Sequence, residues 1–157
     1  MSLNNVKNYF KKYNIDNRII ELTTSSATVK EAAISLNTTE SQIAKTLSFL
    51  VADKPILIVT AGDTKIDNSK FKSIFHEKAH MIPSNLVNDY IGHEIGGVCP
   101  FATKEDVTTY LDESLKRFPY VYPACGSSNS AIKLSIQELE KYTNYKEWID
   151  VCKYQGE

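Results

Sequence analysis

Hydrophobic positions recur along this chain in two periods, and the switching between them predicts interleaved helices and strands. Leu3, Val6, Phe10 and Tyr13 fall at helical spacing, so the chain opens with an amphipathic helix. Residues 18–22 alternate weakly and read as a short strand. Thr28 followed by Glu31 is a capping-box pattern, and Val29, Ala32, Ala33 and Leu36 continue as one helix face that Asn37 ends. Thr39 with Gln42 repeats that pattern and predicts a very short helix to Ala44. Residues 46–52 (TLSFLVA) and 56–61 (ILIVTA) are apolar and β-prone. The turn sequence Asp53-Lys54-Pro55 between them predicts a hairpin of two core strands, closed by Gly62-Asp63.

The second half is less regular. Residues 67–75 read as a helix with Phe71, Ile74 and Phe75 inward, 78–82 as a strand, and 84–90 as a helix capped by Ser84. Residues 92–102 (GHEIGGVCPFA) hold three of the six glycines and form an irregular segment. Residues 107–111, 120–124 and 131–134 are β-like. A capping box at Ser135 and Glu138 starts a helix to Tyr142, and 148–152 returns to the sheet. Strands and helices alternate without regular βαβ spacing, which predicts a mixed α+β fold rather than a doubly wound parallel sheet. No internal repeat is visible, and 157 residues are expected to form a single domain, 1–157.

Composition narrows the class. Apolar residues are 42% and charged residues 24%, which excludes an intrinsically disordered chain. The net charge of -1 excludes a protein that holds nucleic acid mainly by phosphate neutralisation, so any nucleic-acid partner is gripped through a local patch or a small end-group. The first 80 residues carry 11 basic and 8 acidic side chains, which makes that half the place to look. Cys99, Cys125 and Cys152 are odd in number and lack C-x-x-C spacing, so neither a zinc ribbon nor a disulfide framework is expected. No apolar run approaches the roughly 18 residues of a membrane span, and the first residues lack a signal-peptide core. A cytoplasmic protein with no membrane partner is the expectation.

Several constellations carry possible chemistry, and each has a plainer reading. His76-Glu77-Lys78-Ala79-His80 matches the zinc motif H-E-x-x-H, which requires both histidines on one helix face. Pro83 and the extended character from Lys78 argue against such a helix, and only His93 or Glu94 offers a third ligand, so no metal site is expected. G-x-x-x-x-G-K-[ST] and G-x-G-x-x-G are both absent, which leaves no support for a nucleotide cofactor. Cys125 beside Gly126 is a nucleophile only if something makes its thiolate, and no His lies near it in sequence; a buried structural thiol is the plainer reading. Lys45 sits between Ile43-Ala44 and Thr46-Leu47 where a short helix meets an apolar strand, a place that would partly desolvate and aim it. The alternative is a surface lysine with a snorkelling stem. Gly96-Gly97 lets backbone groups approach a ligand closely, or is merely a flexible loop.

Four segments in order carry a resemblance: 41–47 (SQIAKTL), 60–63 (TAGD) with Asp67, 96–101 (GGVCPF), and 122–126 (YPACG) with 132–134 (IKL). From about Thr24 to Tyr142 the chain resembles the YbaK/EbsC family of aminoacyl-tRNA deacylases, which includes the editing domain inserted in bacterial prolyl-tRNA synthetases. The resemblance implies an α+β fold, a curved mixed sheet approaching a barrel with surrounding helices. It implies hydrolysis of the ester in mischarged tRNA carrying a small amino acid, usually on tRNA-Pro, with no metal or organic cofactor. The family's essential lysine falls on Lys45, with Thr46 beside it. Its glycine loop falls on Gly96 and Gly97, followed by Val98, Cys99, Pro100 and Phe101. Its second loop falls on Gly126 and Ser127, and Ala124 and Ala131 fall at specificity positions. The implied partners are the tRNA acceptor end and, as a candidate, prolyl-tRNA synthetase.

The chain also departs from the family pattern. Cys99 stands for a usual Ser and Ala102 for a usual Gly. Cysteinyl-specific relatives carry Ser at the position of Ala124 and Asp at that of Ala131, so a preference for alanine over cysteine is expected. An aminoacyl ester is already activated, so a positioned water, an ammonium and backbone groups around the oxyanion suffice, in the family's usual view with help from the terminal ribose hydroxyl. A non-catalytic tRNA- or synthetase-binding module of the same fold is the alternative.

Overall fold

The computed structural model describes residues 2–155. In chain order its elements are α1 (Ser2–Lys11), β1 (Ile20–Glu21), α2 (Val29–Leu36), β2 (Ile43–Val51), β3 (Lys54–Ala61), β4 (Thr64–Ile66), α3 (Asn68–Phe75), α4 (Val87–Ile91), β5 (Thr108–Asp112), β6 (Tyr120–Pro123), β7 (Ser130–Ala131), β8 (Leu134–Ser135), α5 (Ile136–Tyr142), β9 (Tyr145–Ile149) and β10 (Cys152–Tyr154). Six strands form a strongly curled half-barrel in the order β8-β6-β2-β3-β5-β9, and β1 with β7 and β4 with β10 make two small ribbons. The β2–β3 and β6–β8 pairs are antiparallel, whereas β2–β6, β3–β5 and β5–β9 are parallel. The expected α+β class with a curved mixed sheet is the observed one.

The hairpin at the centre follows from its turn. Ala52 and Asp53 both take left-handed φ, +50° and +62°, the backbone of a two-residue turn whose twist matches that of its strands. The turn therefore lies one residue earlier than the sequence suggests, and Pro55 sits inside β3 opposite Leu50. The flanking rung Val51–Lys54 is the hydrogen-bonded one in a two-residue hairpin, so Pro55 falls in a rung that exchanges none with β2 and its missing N–H costs that ladder nothing.

At its other end β2 starts earlier than expected. The helix predicted to run to Ala44 is a single 3-10 turn, Glu40–Gln42. Thr39 spends its hydroxyl on the Gln42 side chain rather than on a backbone N–H. Ile43 and Ala44 instead pair with Tyr122 and Pro123 of β6, so tertiary pairing overrides the local cap. Residues 131–134 split in two because Ala131 registers with Ile20 and Leu134 with Val121. The 148–152 segment splits likewise, Ile149 joining the large sheet beside Asp112 and Cys152 pairing with Ile66. Residues 80–82 make one bridge, Met81 to Phe49, rather than a full strand.

The helix expected over 84–90 with Ser84 as its cap is instead a 3-10 turn at Ser84–Leu86 followed by α4, and Ser84 makes no capping bond because the chain enters helical geometry only at Val87. Other helix starts carry the side-chain caps their residues allow. Thr28 accepts from the Glu31 N–H, Asp67 accepts from Ser69 and Lys70, and Ser135 and Glu138 cap each other reciprocally. Val6 and Phe10 of α1 are fully buried with Phe101, Leu111, Val121, Ile132 and Leu139, closing one face of the half-barrel. On the other face Phe71 of α3 covers Phe49 and Ile58. Each such side chain contributes about 1.5–3 kcal/mol by leaving water, and together they hold the strands that frame the site.

Candidate active site

A cavity of about 380 Å³ opens along one edge of β2. Residues 43–48 of β2 form its floor; Ala27, Ala32 and Leu36 stand on one side, Ile82 and Val87 on another, and Ile95, Gly96 and Val98 across the mouth. Tyr122, Ala124, Ser130 and Ala131 close the end where β6 leaves the sheet. Among the described residues no carboxylate lines it. Met81 and Ile95 on its rim are 59% and 61% exposed, large apolar side chains held in water beside an opening.

Six of the sequence-predicted residues meet at this cavity: Lys45, Thr46, Gly96, Val98, Ala124 and Ala131. Gly97 stands behind Gly96, in backbone contact range of Gly126 and Ser127. Cys99, Pro100 and Phe101 are buried behind the glycine loop, where Phe101 stacks on Phe10 with ring centroids 4.7 Å apart. The Ser127 hydroxyl reaches Ser130 at 2.6 Å and steadies the turn after Gly126. Gly96 and Gly126 take φ of +86° and +95°, which glycine adopts without steric cost. Ala102 takes φ +54° at the position where relatives of the resembled family usually carry Gly.

Lys45 is the third residue of β2, not a junction residue, and is half-buried. Its ammonium donates to the Thr64 carbonyl. Burial holds its pKa below that of an ordinary lysine, partly offset by Asp63 nearby. Asp63 is itself held by a bidentate pair from Arg117, at 2.7 and 3.0 Å. Among the described residues two buried side-chain hydroxyls lack a hydrogen-bond partner, Thr46 and Thr60. One is the neighbour of Lys45 in sequence and the other its partner across the hairpin. Unsatisfied buried polar atoms are rare in proteins, and this pair marks the ground around Lys45 as unusual.

Helix α3 ends at Phe75, so His76 and His80 do not share a helix face. Among the described residues no three His, Cys, Asp or Glu side chains are grouped as a metal would need. Burial raises the thiols, that of Cys125 well above its ordinary value and those of Cys99 and Cys152 to about 12, so none is a ready nucleophile. His93, considered in the sequence only as a third metal ligand, is fully buried and holds the glycine loop. Its Nδ1 meets the Ser2 hydroxyl, and its Nε2 lies 2.6 Å from the Phe101 carbonyl oxygen. Burial lowers its pKa, so it is a neutral strut. Ala27, Met81 and Ile95 escaped the sequence reading; no local pattern marks them, because only the fold sets them beside the cavity.

Comparison with known proteins decides the family. A model of the aminoacyl-tRNA editing domain matches residues 23–142. The chain belongs to that family. It is 53% identical over 154 residues to the uncharacterized protein YwhH of Bacillus subtilis, covering 98% of each. It is 32% identical over 100 residues to the proline–tRNA ligase of Limosilactobacillus fermentum, a match taking in 60% of this chain and 18% of the ligase. A solved structure described as a candidate trans-editing enzyme for prolyl tRNA synthetase superposes with a TM-score of 0.86 at 25% identity, over 97% of each chain. The hypothetical protein APE2540 superposes with a TM-score of 0.79 at 26% identity, over 92% of this chain and 99% of that one. The family match thus takes in the cavity, both glycine loops and Lys45, while α1, β1 and the last two strands lie outside it. Among the described residues no helix is long and apolar enough to cross a membrane.

Proposed function

We propose that residues 1–157 form one trans-editing hydrolase domain that removes a small amino acid from mischarged tRNA-Pro in the cytoplasm. The observation that carries this reading is the cavity itself: a mostly apolar pocket of about 380 Å³ lined by a lysine, the orphan Thr46 hydroxyl and a glycine loop, inside an aminoacyl-tRNA editing fold. It has room for an aminoacyl group and lacks the Ser-His-Asp set that an unactivated bond would demand. Water adds to the ester carbonyl, the tetrahedral intermediate breaks its bond to the ribose oxygen, and that oxygen leaves as a hydroxyl with the proton taken from the water. Backbone groups at Gly96 and Gly97 frame the reacting end. The Lys45 stem lets its ammonium move from the Thr64 carbonyl to the cavity, where it steadies the developing charge or the terminal phosphate. Val98, Ala124 and Ala131 bound the side-chain pocket. Cys99, Pro100 and Phe101 act from behind, as the support of the glycine loop, and Gly126 and Ser127 hold that loop in place.

The test is a deacylation screen against tRNA-Pro charged with Pro, Ala, Cys and Ser. Clearance of Ala-tRNA-Pro with Pro-tRNA-Pro spared supports the reading; no clearance of any of them overturns it. The alternative, a non-catalytic binder docking on tRNA or on prolyl-tRNA synthetase, draws on the engagement of the Lys45 ammonium by Thr64. It predicts tight binding of charged tRNA with no release of amino acid.

Specificity is expected to be graded, with alanine ahead of cysteine. Ala124 and Ala131 offer a thiol no hydrogen bond, and an apolar pocket separates single small groups by only about 1–3 kcal/mol. Serine is expected to leak through, because such a wall rejects an added hydroxyl poorly. Relative kcat/KM on Ala-, Ser- and Cys-charged tRNA-Pro measures this, and fastest clearance of cysteine would show that another group reads the thiol.

Chelation is expected to leave the rate unchanged, since His76 and His80 are not on one helix and, among the described residues, the cavity lining holds no His, Cys or carboxylate. Loss of activity in EDTA, restored by zinc, would reinstate a metal mechanism.

A further inference from the structure

Strand β2 lacks a neighbour along one short stretch of its edge. On that side β6 leaves after Pro123, which registers with Ala44. The 80–82 segment arrives only at Ser48, whose carbonyl accepts from Ile82 N–H at 3.1 Å, and at Leu50, whose N–H donates to the His80 carbonyl at 2.9 Å. Backbone polar groups of a strand in a ladder turn to alternate edges with period two. Ser48 and Leu50 face the β6 side, so Thr46 faces it too, while Lys45 and Leu47 turn theirs towards Thr60 and Ile58 of β3. The Thr46 N–H and C=O therefore stand together at a missing rung. The gap is cavity floor, and the Thr46 hydroxyl is also buried without a partner. All three polar groups of one residue are therefore unspent within the protein and face the cavity.

A strand residue filling such a rung would offer one N–H donor and one C=O acceptor on the same side. An α-aminoacyl ester carries that pair on neighbouring atoms, as its ammonium and its ester carbonyl. We propose that the aminoacyl group docks at Thr46 as a one-residue strand: its ammonium donates to the Thr46 carbonyl, and its ester carbonyl accepts from the Thr46 N–H. Among the described residues no carboxylate lines the cavity, and a neutral backbone carbonyl is the acceptor that β2 offers a substrate ammonium. The amino-acid side chain then leaves the pleat into the pocket, where bulk is excluded. The Thr46 N–H lies where negative charge grows as water attacks, a donor fixed in advance by the sheet. This deepens the editing reading and rests on it; it adds that the site selects α-amino esters and names the atoms that do so.

The experiment has three arms. Thr46 is replaced by its α-hydroxy acid through nonsense suppression, which turns the N–H into an ether-like oxygen and keeps the side chain. Thr46→Pro is the genetic counterpart, tolerable because that N–H joins no ladder and Lys45 before it is already extended. Both are expected to lose about a hundredfold in kcat/KM on alanyl-tRNA. In the second arm wild-type protein is given alanyl-, lactyl- and propionyl-tRNA, each rate divided by its own uncatalysed hydrolysis. The propionyl ester, with no α-donor, is expected to fall at least about tenfold below the alanyl one, with the lactyl ester between. In the third arm the amide resonance of Thr46 is followed while non-hydrolysable 3′-alanylamino-3′-deoxyadenosine is added. It is expected to shift, and to shift less with the propionyl analogue. If wild type is active but the hydroxy-acid variant matches it, or the Thr46 amide does not move, the docking mode is wrong and editing stands. If the amide moves and wild type releases no amino acid, the docking mode stands and the hydrolase reading is wrong.

Discussion

Lys45→Ala is expected to lower kcat/KM on alanyl-tRNA by at least about a hundredfold, the scale on which a single preorganised charge or donor acts at a reacting centre. Folding should survive, because Lys45 is half-buried and its loss removes one hydrogen bond, to the Thr64 carbonyl, worth about 1 kcal/mol. Lys45→Met, which keeps the stem without the charge, separates the two roles: it should fold like wild type and fail like the alanine variant. The pH profile identifies the working form. Burial lowers the Lys45 pKa, so the ammonium loses its proton at a lower pH than an exposed lysine would. If the ammonium is the catalytic form, the rate above spontaneous hydrolysis declines on the alkaline side, beginning below the ordinary lysine range. A rate that instead rises through that window would make the neutral amine a general base. A folded Lys45→Ala protein with wild-type turnover would remove Lys45 from the mechanism.

Much of the fold and the family was legible in the sequence because they are carried by residues whose local pattern is strong. The paired apolar runs around residue 53 give the hairpin, and Thr28, Asp67 and Ser135 give their helix starts, because caps and alternation act within a few residues. The ordered motifs from Ser41 to Leu134 give the family, which the 23–142 match bears out. What stayed hidden depends on distant partners. Lys45 is a strand residue rather than a junction residue because Ile43 and Ala44 pair with Tyr122 and Pro123, almost eighty positions away. The gap beside Thr46 exists because β6 and the 80–82 segment meet β2 at different places, which no local pattern encodes. His93 reads as a possible ligand in a glycine-rich loop; only its burial between Ser2 and Phe101 shows it as a strut.

The glycine loop rests on a backbone stack three layers deep, and Gly97→Ala should disrupt it. A Cβ at Gly97 would lie 2.6 Å from the Gly126 carbonyl carbon and from the Ser127 nitrogen, closer than real Cβ atoms come to backbone. Gly126 has no room to retreat, since even a Cβ built on it would lie 2.8 Å from the Ser2 carbonyl oxygen, and its φ is +95°. The added methyl must therefore push the 96–98 loop outward, towards the cavity that Gly96 and Val98 line. Overpacking of this kind costs about 1–3 kcal/mol of stability. The activity loss is expected to be larger, about a hundredfold in kcat/KM, because a displacement near 1 Å at a reacting end has that effect. Gly92→Ala is the control: its φ of +96° makes the substitution cost about 1 kcal/mol, but the nearest atom to its Cβ is a Lys104 side-chain carbon at 3.5 Å and it does not line the cavity. Thermal melts should show both variants destabilised, and deacylation assays below their melting points should show only Gly97→Ala impaired. Equal activity in the two variants would mean that the loop's position is not what the reaction depends on.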